Sequence, residues 1–149
     1  MWPWKSKETW EKEAELFSRF ADSVFVLNLE GKIISIVKGN SKRHPVGEAM
    51  VGKYLRELLG AEQGLKGAQT MREAVNSQRR MGYEYTLNNG NETYFFHADI
   101  VPLPHKKNKP EERVLWLSHD CTERKQEQAS VWMENELLQG ILNARISLM

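Results

Sequence analysis

The stretch RVLWLSHDCTERKQEQ, residues 113–128, changes character at its centre and decides how the chain is interpreted. Up to Asp120 it is mostly apolar and carries the residue types that favour β-strands. After Thr122 it is charged and contains neither glycine nor proline, which is typical of a helix. The stretch therefore predicts a strand that passes directly into a helix at residues 120–122.

The residues at this boundary predict a helix start that is tied to the strand. We expect Thr122 to be the N-cap, with its hydroxyl accepting an unpaired backbone N–H of the helix. Glu123 falls in the first turn, where a negative charge suits the helix dipole. Asp120 is expected to accept backbone or side-chain donors at the same corner. The end of the strand and the start of the helix are thus predicted to move together.

The predicted terminal helix carries the beginning of a coiled-coil pattern. Its apolar seam has the alternating four- and three-residue spacing of a coiled coil and consists of Leu137, Ile141, Ala144 and Leu148. Glu134 occupies the preceding seam position, so the pattern is short. A helix of this kind normally leads into another domain. We therefore expect a homodimer and an output domain in a longer parent protein.

The rest of the chain predicts four more strands and three more helices. KETWEKEAELFSRFAD (7–22) is amphipathic and predicts an N-terminal helix, while SVFVLNLEGKIISIVKG (23–39) predicts a hairpin around NLEG. Two helices follow in VGKYLRELLG (51–60) and LKGAQTMREAVNSQRR (65–80). Their predicted buried faces comprise Val51, Leu55 and Leu58 in the first and Leu65, Ala68, Met71 and Val75 in the second.

The segment MGYEYTLNNGNETYFFHADIVPL (81–103) predicts a second hairpin around its Asn-Gly pair. The five strands suit one antiparallel sheet, and the two middle helices must cover one of its faces, because an uncovered sheet leaves its apolar face in water. The fold class is therefore α+β. We predict three parts: a cap helix over 1–21, a core over 22–121 and a linker helix over 122–149.

Composition excludes several kinds of protein. The chain has 149 residues, of which 28% are charged and 40% hydrophobic, as is ordinary for one soluble domain. A net charge of +1 gives no field that would attract nucleic acid or a membrane surface. No apolar run is long enough to span a bilayer, and no signal peptide is visible. The single cysteine, Cys121, fits a reducing compartment, so we expect a cytoplasmic location.

At this point the sequence resembles a PAS domain over roughly residues 12–127. ADSVFVLNLEGKIISI (21–36) is similar to the opening hairpin of that family, and VGKYLRELL (51–59) to its short central helix. YEYTLNNGNETYFFHADIVPL (83–103) resembles the second hairpin, and HDCTERKQ (119–126) the closing Asp-x-Thr-Glu-Arg-Lys signature. The sequence departs from the family at Cys121, where an aliphatic residue is usual.

The resemblance implies a ligand cavity between the sheet and the middle helices. Its predicted lining is Met71, Val75, Phe96, Ala98, Ile100, Trp116 and Ser118. These residues are also what an ordinary core would contain, and Ser118 is the most telling of them because an inward hydroxyl must find a partner. The opposite face of the sheet carries Phe95, Val101, Leu115 and Leu117. We expect either a second subunit or the N-terminal helix, through Trp10, Phe17 and Phe20, to cover that face.

The residues argue against most cofactors and catalytic devices. Haem is disfavoured because the long middle helix carries no axial histidine, His44 and His105 fall in loops, and His97 and His119 are predicted to point away from the cavity. A non-covalently bound flavin stays open as an alternative, whereas metal-ligand spacing is lacking. Ser118, His119 and Asp120 are adjacent on a strand, so their faces alternate and they form no triad. The short basic loops are better explained as solvated turns than as nucleic-acid contacts.

Two functions follow from the resemblance. The first is a regulatory sensor and dimerisation domain that binds a small molecule or a partner and signals through Asp120, Thr122, Glu123 and the terminal helix to an output domain, chiefly a histidine kinase. The second is a ligand-free structural dimerisation module of a cyclic-dinucleotide (GGDEF-type) enzyme. A stand-alone enzyme would require converging titratable groups in the cavity, and the predicted lining is almost wholly apolar or aromatic.

Overall fold

The computed structural model describes residues 21–39, 43–44, 47–104 and 112–148, with side chains described as far as residue 140. The predicted N-terminal helix, including Trp10, Phe17 and Phe20, lies outside the described residues. Five strands form one sheet: β1 (Ser23–Asn28), β2 (Ile33–Lys38), β3 (Met81–Asn89), β4 (Glu92–Pro102) and β5 (Arg113–Asp120).

All strand pairs are antiparallel, and the order across the sheet is β2-β1-β5-β4-β3. The predicted five-stranded antiparallel sheet is therefore confirmed. β5 is the central strand and is hydrogen-bonded to β1 on one side and β4 on the other. Its last residues, which lead into the terminal helix, consequently lie in the middle of the sheet and not at an edge.

The β1–β2 turn forms where the sequence predicts it, and Asn28 is the reason. Its side-chain oxygen accepts the backbone N–H groups of Glu30 at 3.1 Å and of Lys32 at 2.9 Å. Gly31 has φ of +85°, a left-handed conformation that costs glycine little. This pair of features returns the chain directly into β2.

Two helices pack on the inner face of the sheet: α1 (Leu55–Leu59) and α2 (Ala61–Ser77), preceded by a 3₁₀ turn over Glu48–Met50. The predicted buried face of α2 was wrong in detail, because Leu65 is 59% exposed. The face that is buried instead includes two glycines and consists of Gly64, Gly67, Met71, Ala74 and Val75. Glycine lets α2 approach α1 and the sheet closely. Val51, predicted to share a face with Leu55, precedes α1 and is 40% exposed.

The third helix, α3 (Thr122–Leu148), is 27 residues long, which corresponds to about 40 Å at 1.5 Å per residue. It leaves the sheet directly from β5. Its large apolar side chains are more than half exposed at Val131, Trp132, Met133, Leu137 and Leu138. None of the helices in the described part of the chain combines the length and apolar character needed to cross a bilayer.

Two apolar clusters occupy the two faces of the sheet. The larger lies between the sheet and the helices α1 and α2 and includes Phe25, Met71, Phe96 and Trp116. The smaller lies on the opposite face and consists of Ala21, Val24, Val26, Leu115 and Leu117. Alternation along the strands places successive side chains in different clusters, as it does with Trp116 and Leu117.

Candidate functional site

A histidine lies in the inner core where the sequence predicted only a loop residue. The side chain of His44 has no solvent exposure, and its ring lies 4.8 Å from that of Phe96 and 5.6 Å from that of Tyr85, both edge-on. The described core around it is built mainly from apolar and aromatic side chains. A polar, titratable group in such a place requires hydrogen-bond partners.

Those partners form a chain of hydrogen bonds through the core. His44 Nε2 and the Tyr85 hydroxyl are 2.5 Å apart, and the same hydroxyl is 2.5 Å from Ser118 Oγ. Trp116 Nε1 donates to the Tyr85 oxygen at 3.4 Å. We call these four residues the core polar cluster. Because Tyr85 has one proton to donate, it donates either to His44 or to Ser118, and the cluster has two proton arrangements.

Aromatic rings surround the core polar cluster. Tyr85 is stacked on Phe96 at a centroid distance of 5.5 Å and on Tyr83 at 5.9 Å, and Phe25 is stacked on Trp116 at 5.9 Å. The rings exclude water from the hydrogen bonds, which strengthens each bond and raises the cost of breaking one. The cluster therefore holds a defined geometry inside an otherwise apolar core.

Burial keeps the titratable members of the cluster uncharged at neutral pH. Desolvation lowers the pKa of His44 from 6.5 to about 4, against a smaller opposing effect of the Asp120 charge. Desolvation also raises the pKa of Tyr85, and its hydrogen bonds with Ser118 and Trp116 oppose this only in part. A site of this kind favours an uncharged ligand over an ion, because a buried charge without a partner is costly.

Two buried polar atoms near this cluster have no hydrogen-bond partner within the described ranges: His44 Nδ1 and Ser23 Oγ. Ser23 is the direct cross-strand neighbour of Ser118 in the β1–β5 register. Both atoms retain the capacity for one more hydrogen bond. Unpaired buried polar atoms are uncommon and mark this end of the core as the place where an additional polar group would be stabilised.

The predicted pocket residues all lie in the inner core. Six of them belong to one apolar cluster: Met71, Val75, Phe96, Ala98, Ile100 and Trp116. Ser118 is fully buried beside them and finds its partner in Tyr85, as an inward hydroxyl should. These side chains therefore lie between the sheet and the helices that cover it, whereas a ligand cavity lined by them stays a prediction.

The strand–helix junction, residues 120–123, is held by hydrogen bonds within itself and with two other segments. Asp120 Oδ1 accepts the Thr122 backbone N–H at 2.9 Å and the Thr122 hydroxyl at 2.6 Å. The backbone N–H of Asp120 donates to Asp22 Oδ2 at 2.6 Å, just before β1. The Phe95 backbone N–H on β4 donates to the Thr122 hydroxyl oxygen at 3.0 Å. The start of α3 is therefore bound to the end of β5 and to Phe95 on β4.

The prediction that the Thr122 hydroxyl caps the helix is wrong. The carbonyl of Cys121 accepts the first helical bond, from Lys125 N–H at 3.0 Å, so the helix begins at Thr122 itself. The Thr122 hydroxyl points sideways to β4 and to Asp120 because it is 98% buried against the sheet. Glu123 does lie in the first turn, as predicted.

The guanidinium group of Arg43 contacts the junction from a separate segment of the chain. Arg43 NH1 lies 2.7 Å from Glu123 Oε1 and 3.4 Å from Asp120 Oδ2, and its charged end lies over the Tyr94 ring at 4.8 Å. Arg43 is the residue directly before His44 in the chain. The two components of the site, the core polar cluster and the junction, are thus adjacent in sequence as well as in space.

A family model described as the PAS fold matches residues 17–126, well over half of the sequence. The chain belongs to the PAS family. This match confirms the resemblance noted in the sequence. PAS domains are sensory domains of signalling proteins. A comparison with curated proteins gave no match.

Solved PAS structures share the fold at low sequence identity. A PAS domain from Colwellia psychrerythraea is 20% identical with a TM-score of 0.54, covering 77% of this chain and 98% of that one. A domain of an HTR-like protein from Haloarcula marismortui is 18% identical with a TM-score of 0.53, covering 67% and 97%. Drosophila melanogaster Cycle PAS-B with bound ethylene glycol is 9% identical with a TM-score of 0.51, covering 66% and 98%. At these identities the likeness shows the fold alone.

The outer face of the PAS sheet carries a second polar group, as predicted for His97 and His119. Their Nε2 atoms lie 3.4 and 3.3 Å from the two carboxylate oxygens of Asp99, which also receives Arg80 at 2.6 Å. Burial alone raises the pKa of Asp99, but Arg80 and the two histidines hold it below its usual value. Within the described ranges no three acidic, histidine or cysteine side chains are arranged to hold a metal ion.

The predicted cap face of the PAS sheet is buried to different degrees. Leu115 and Leu117 are each 3% exposed, while Phe95 and Val101 are partly buried. The described residues that pack there include Val24, Val26 and Ile34. The predicted cover, Trp10, Phe17 and Phe20, lies outside the described residues, so its role stays a prediction.

Sequence reasoning missed His44 and Tyr85, the centre of the PAS site. Tyr85 could have been found, because alternation in the second hairpin places it opposite Phe96 on the inner face. His44 gave no such signal, since NSKRHPVGEAM has no periodicity and a histidine among basic and polar residues is usually exposed. Only the folded chain brings His44 to Tyr85.

Proposed function

We propose that this PAS domain is a cytoplasmic sensor in which a small uncharged molecule acts on the core polar cluster and the change passes through the strand–helix junction into α3. The observation that carries the proposal is the double attachment of Thr122, to Asp120 on β5 and to Phe95 on β4. A change in sheet geometry alters those bonds at the first residue of the helix. Such coupling operates as a population shift set by the ligand's differential affinity for the two states.

The chemistry of the core supports the class of ligand. His44 and Tyr85 are neutral at pH 7, and His44 Nδ1 and Ser23 Oγ can each make one more hydrogen bond. A small molecule with hydroxyl or carbonyl groups matches those needs, whereas a charged one would be desolvated without a counter-ion. Ethylene glycol, a molecule of this class, is bound in the Cycle PAS-B structure.

We extend the proposal to a homodimer formed through α3, with a histidine kinase as the output domain. Five large apolar side chains on the described part of α3 are more than half exposed, and water disfavours such a surface. A second copy of the helix would cover the Leu137 side in the manner of a coiled coil. Dimerisation helices of this type commonly precede the catalytic part of a histidine kinase, which sets our preference among output domains.

The alternative is a ligand-free dimerisation module, for instance in a GGDEF-type enzyme. The observation that favours it is the close ring packing of the inner core, where Phe25 and Trp116 are stacked at 5.9 Å and Tyr85 and Phe96 at 5.5 Å. In that case the core would only stabilise the fold and set the register of α3. The two candidates agree on a dimer and differ on ligand binding.

Native mass spectrometry of the purified 149-residue chain separates the candidates. The sensor predicts a bound molecule of low mass, and a Ser23→Val, Ser118→Val double variant that loses it while staying folded. An absorption spectrum of the same sample tests directly for flavin or haem. Two results together would instead support the structural module. The wild-type chain would show only the mass of the polypeptide, and the Trp116 indole N–H signal would not shift on titration with ethylene glycol.

A further inference from the structure

Arg43 and His44 are consecutive residues that face opposite environments. The Arg43 side chain is 35% exposed and lies against the start of α3. The His44 side chain has no exposure and lies in the core polar cluster. Consecutive Cα atoms are about 3.8 Å apart, so one of these residues cannot move far without moving the other.

The contacts of Arg43 are concentrated on the strand–helix junction. Its NH1 atom lies 2.7 Å from Glu123 Oε1, in the first turn of α3, and 3.4 Å from Asp120 Oδ2, at the end of β5. Its guanidinium also covers the Tyr94 ring on β4. Arg43 therefore contacts β4, β5 and α3 close to the point where α3 begins.

The contacts of His44 are concentrated on the core. Its Nε2 atom is 2.5 Å from the Tyr85 hydroxyl, which in turn is 2.5 Å from Ser118 Oγ. A ligand that competes for either hydrogen bond, or that binds His44 Nδ1, must shift the imidazole or change its hydrogen bonding. A displacement at His44 is then carried one residue along the backbone to Arg43.

From these contacts we infer that the Arg43–His44 dipeptide is the coupling element between the core polar cluster and α3. This inference rests on the proposed sensory function and names the residues through which it is regulated. When the core engages a ligand, His44 shifts, and Arg43 alters its ion pairs with Glu123 and Asp120. The first turn of α3 is thereby loosened or tightened.

A second route along β5, from Ser118 to Asp120, is stiffer. β5 is hydrogen-bonded on both sides, to β1 and to β4, over most of its length. Displacing Ser118 would disturb its pairs with Ser23 on β1 and with Ala98 on β4 at once. The dipeptide contacts the cluster through the His44 side chain and the junction through the Arg43 side chain.

A double-mutant cycle tests whether the dipeptide couples the two regions. Tyr85→Phe changes the core by removing only the hydroxyl that is bonded to His44. Arg43→Gln changes the coupling element. Hydrogen exchange of the amides in residues 125–127, the first that make helical hydrogen bonds, is measured by NMR for the wild type, both single variants and the double variant. We expect Tyr85→Phe to change those exchange rates by about fivefold in the wild-type background and by less than about twofold with Arg43→Gln.

Matched controls are available within the chain. Tyr83→Phe removes a hydroxyl from the same strand and face, but one that donates to the Gln63 carbonyl at 2.9 Å and does not contact His44. Arg56→Gln removes a guanidinium that covers the Tyr54 ring at 4.3 Å, away from α3. We expect the effect of Tyr83→Phe to be additive with that of Arg43→Gln, and the effect of Arg56→Gln to be additive with that of Tyr85→Phe. If Tyr85→Phe does not fold, the Trp116 indole N–H signal in Arg43→Gln still tests the coupling, because that measurement needs no change in the core.

Coupling is reciprocal, so Arg43→Gln must also shift the Trp116 indole N–H signal, which reports on the Tyr85 hydroxyl. Additive exchange rates, or an unmoved Trp116 signal, overturn the coupling element and favour the β5 route. The cycle needs no ligand. A non-additive cycle in a chain that binds no small molecule would thus support the coupling element and contradict the sensory function. Failure of the coupling element is therefore distinguishable from failure of the sensory function.

Discussion

His44 is a single titratable side chain enclosed by aromatic rings, and its protonation state is linked to folding. A base with a lower pKa in the folded state binds its proton more readily in the unfolded state. Lowering the pH therefore favours unfolding over the pH range in which His44 is protonated in the unfolded state and neutral in the folded state. The relevant window lies between its ordinary pKa of 6.5 and its folded value of about 4.

The free energy of unfolding should fall as the pH is lowered from 6.5 to 4. One extra proton in the unfolded state corresponds to about 1.4 kcal/mol per pH unit across that window. Above pH 6.5 the contribution of His44 is fully present, and Asp99, whose pKa is also depressed, loses its contribution only as the pH falls below its ordinary value of 3.8. Urea denaturation at several pH values measures the slope.

The variant His44→Phe should lose most of this pH slope, even if it changes stability at pH 7. His97→Gln, on the outer face, serves as the control and should retain the slope. Equal slopes in wild type and His44→Phe would contradict the buried, neutral state of His44.

Thr122 is a second residue whose contribution follows from its contacts. Its hydroxyl donates to Asp120 and accepts from the Phe95 backbone, at 2% exposure. Thr122→Ala removes both bonds and leaves the Phe95 N–H without that partner, so we expect unfolding free energy to drop by about 1–3 kcal/mol. Thr122→Ser retains the hydroxyl and should lose much less.

Chemical denaturation compares the two variants, and hydrogen exchange at the Phe95 amide reports on the lost bond. The side-on arrangement predicts faster exchange at Phe95 in Thr122→Ala. Faster exchange confined to the first-turn amides of α3, with Phe95 unchanged, is the pattern that a helix cap would give and would count against it.

At the scale of elements, α1 and α2 approach each other closely at Gly64. A Cβ atom at Gly64 would lie 2.5 Å from the Cα of Arg56, a distance that requires the helices to separate. At Gly67 it would meet side-chain atoms of Leu55 at 3.0 Å and Trp116 at 3.2 Å. These two glycines set how closely α2 covers the inner core.

Glycine-to-alanine changes should therefore have opposite signs in two helices. Gly64→Ala should lower stability by about 1–3 kcal/mol, as overpacking generally does. Gly140→Ala lies in α3, where no described residue outside the local helix comes within 4 Å of the added Cβ, and should have a neutral or stabilising effect of up to about 1 kcal/mol. Thermal unfolding of both variants measures the difference, and equal effects would contradict the close approach of α1 and α2.

The elements themselves were predictable because their signals are local. Alternation in 92–103 gave the inward positions of Phe96 and Ile100, and Asn28 and Gly31 made the first turn. The detailed helix face failed at Leu65, since the sequence does not reveal that a glycine is used for close approach. The location of His44 and the partners of the Thr122 hydroxyl depend on contacts between distant segments, which no local pattern encodes.

At the scale of the whole molecule, α3 exposes large apolar side chains that no described residue covers. We predict that the chain is a dimer in solution and that Leu137→Glu converts it to a monomer. Leu137 is 68% exposed and is the first apolar position of the predicted seam, so a charge buried there in a dimer would be unpaired. Gln139→Glu places the same charge on the opposite side of the helix and should leave the dimer intact.

Light scattering coupled to size-exclusion chromatography gives the mass of each variant. The α3 seam is supported if only the Leu137 variant has the mass of one chain. A wild-type monomer, or a dimer unaffected by Leu137→Glu, would remove α3 as the dimer contact.

The central pairing of β1 with β5 has a mechanical consequence. Ser23 opposes Ser118, so the chain enters the sheet and leaves it at the same end. Tension between the two ends would act on the β1–β5 ladder one rung after another, as in opening a zip, and not on all rungs in parallel. The domain should accordingly yield at low force, starting at Asp22 and Asp120, and a pull on the incoming segment would reach the outgoing helix before the rest of the sheet is strained.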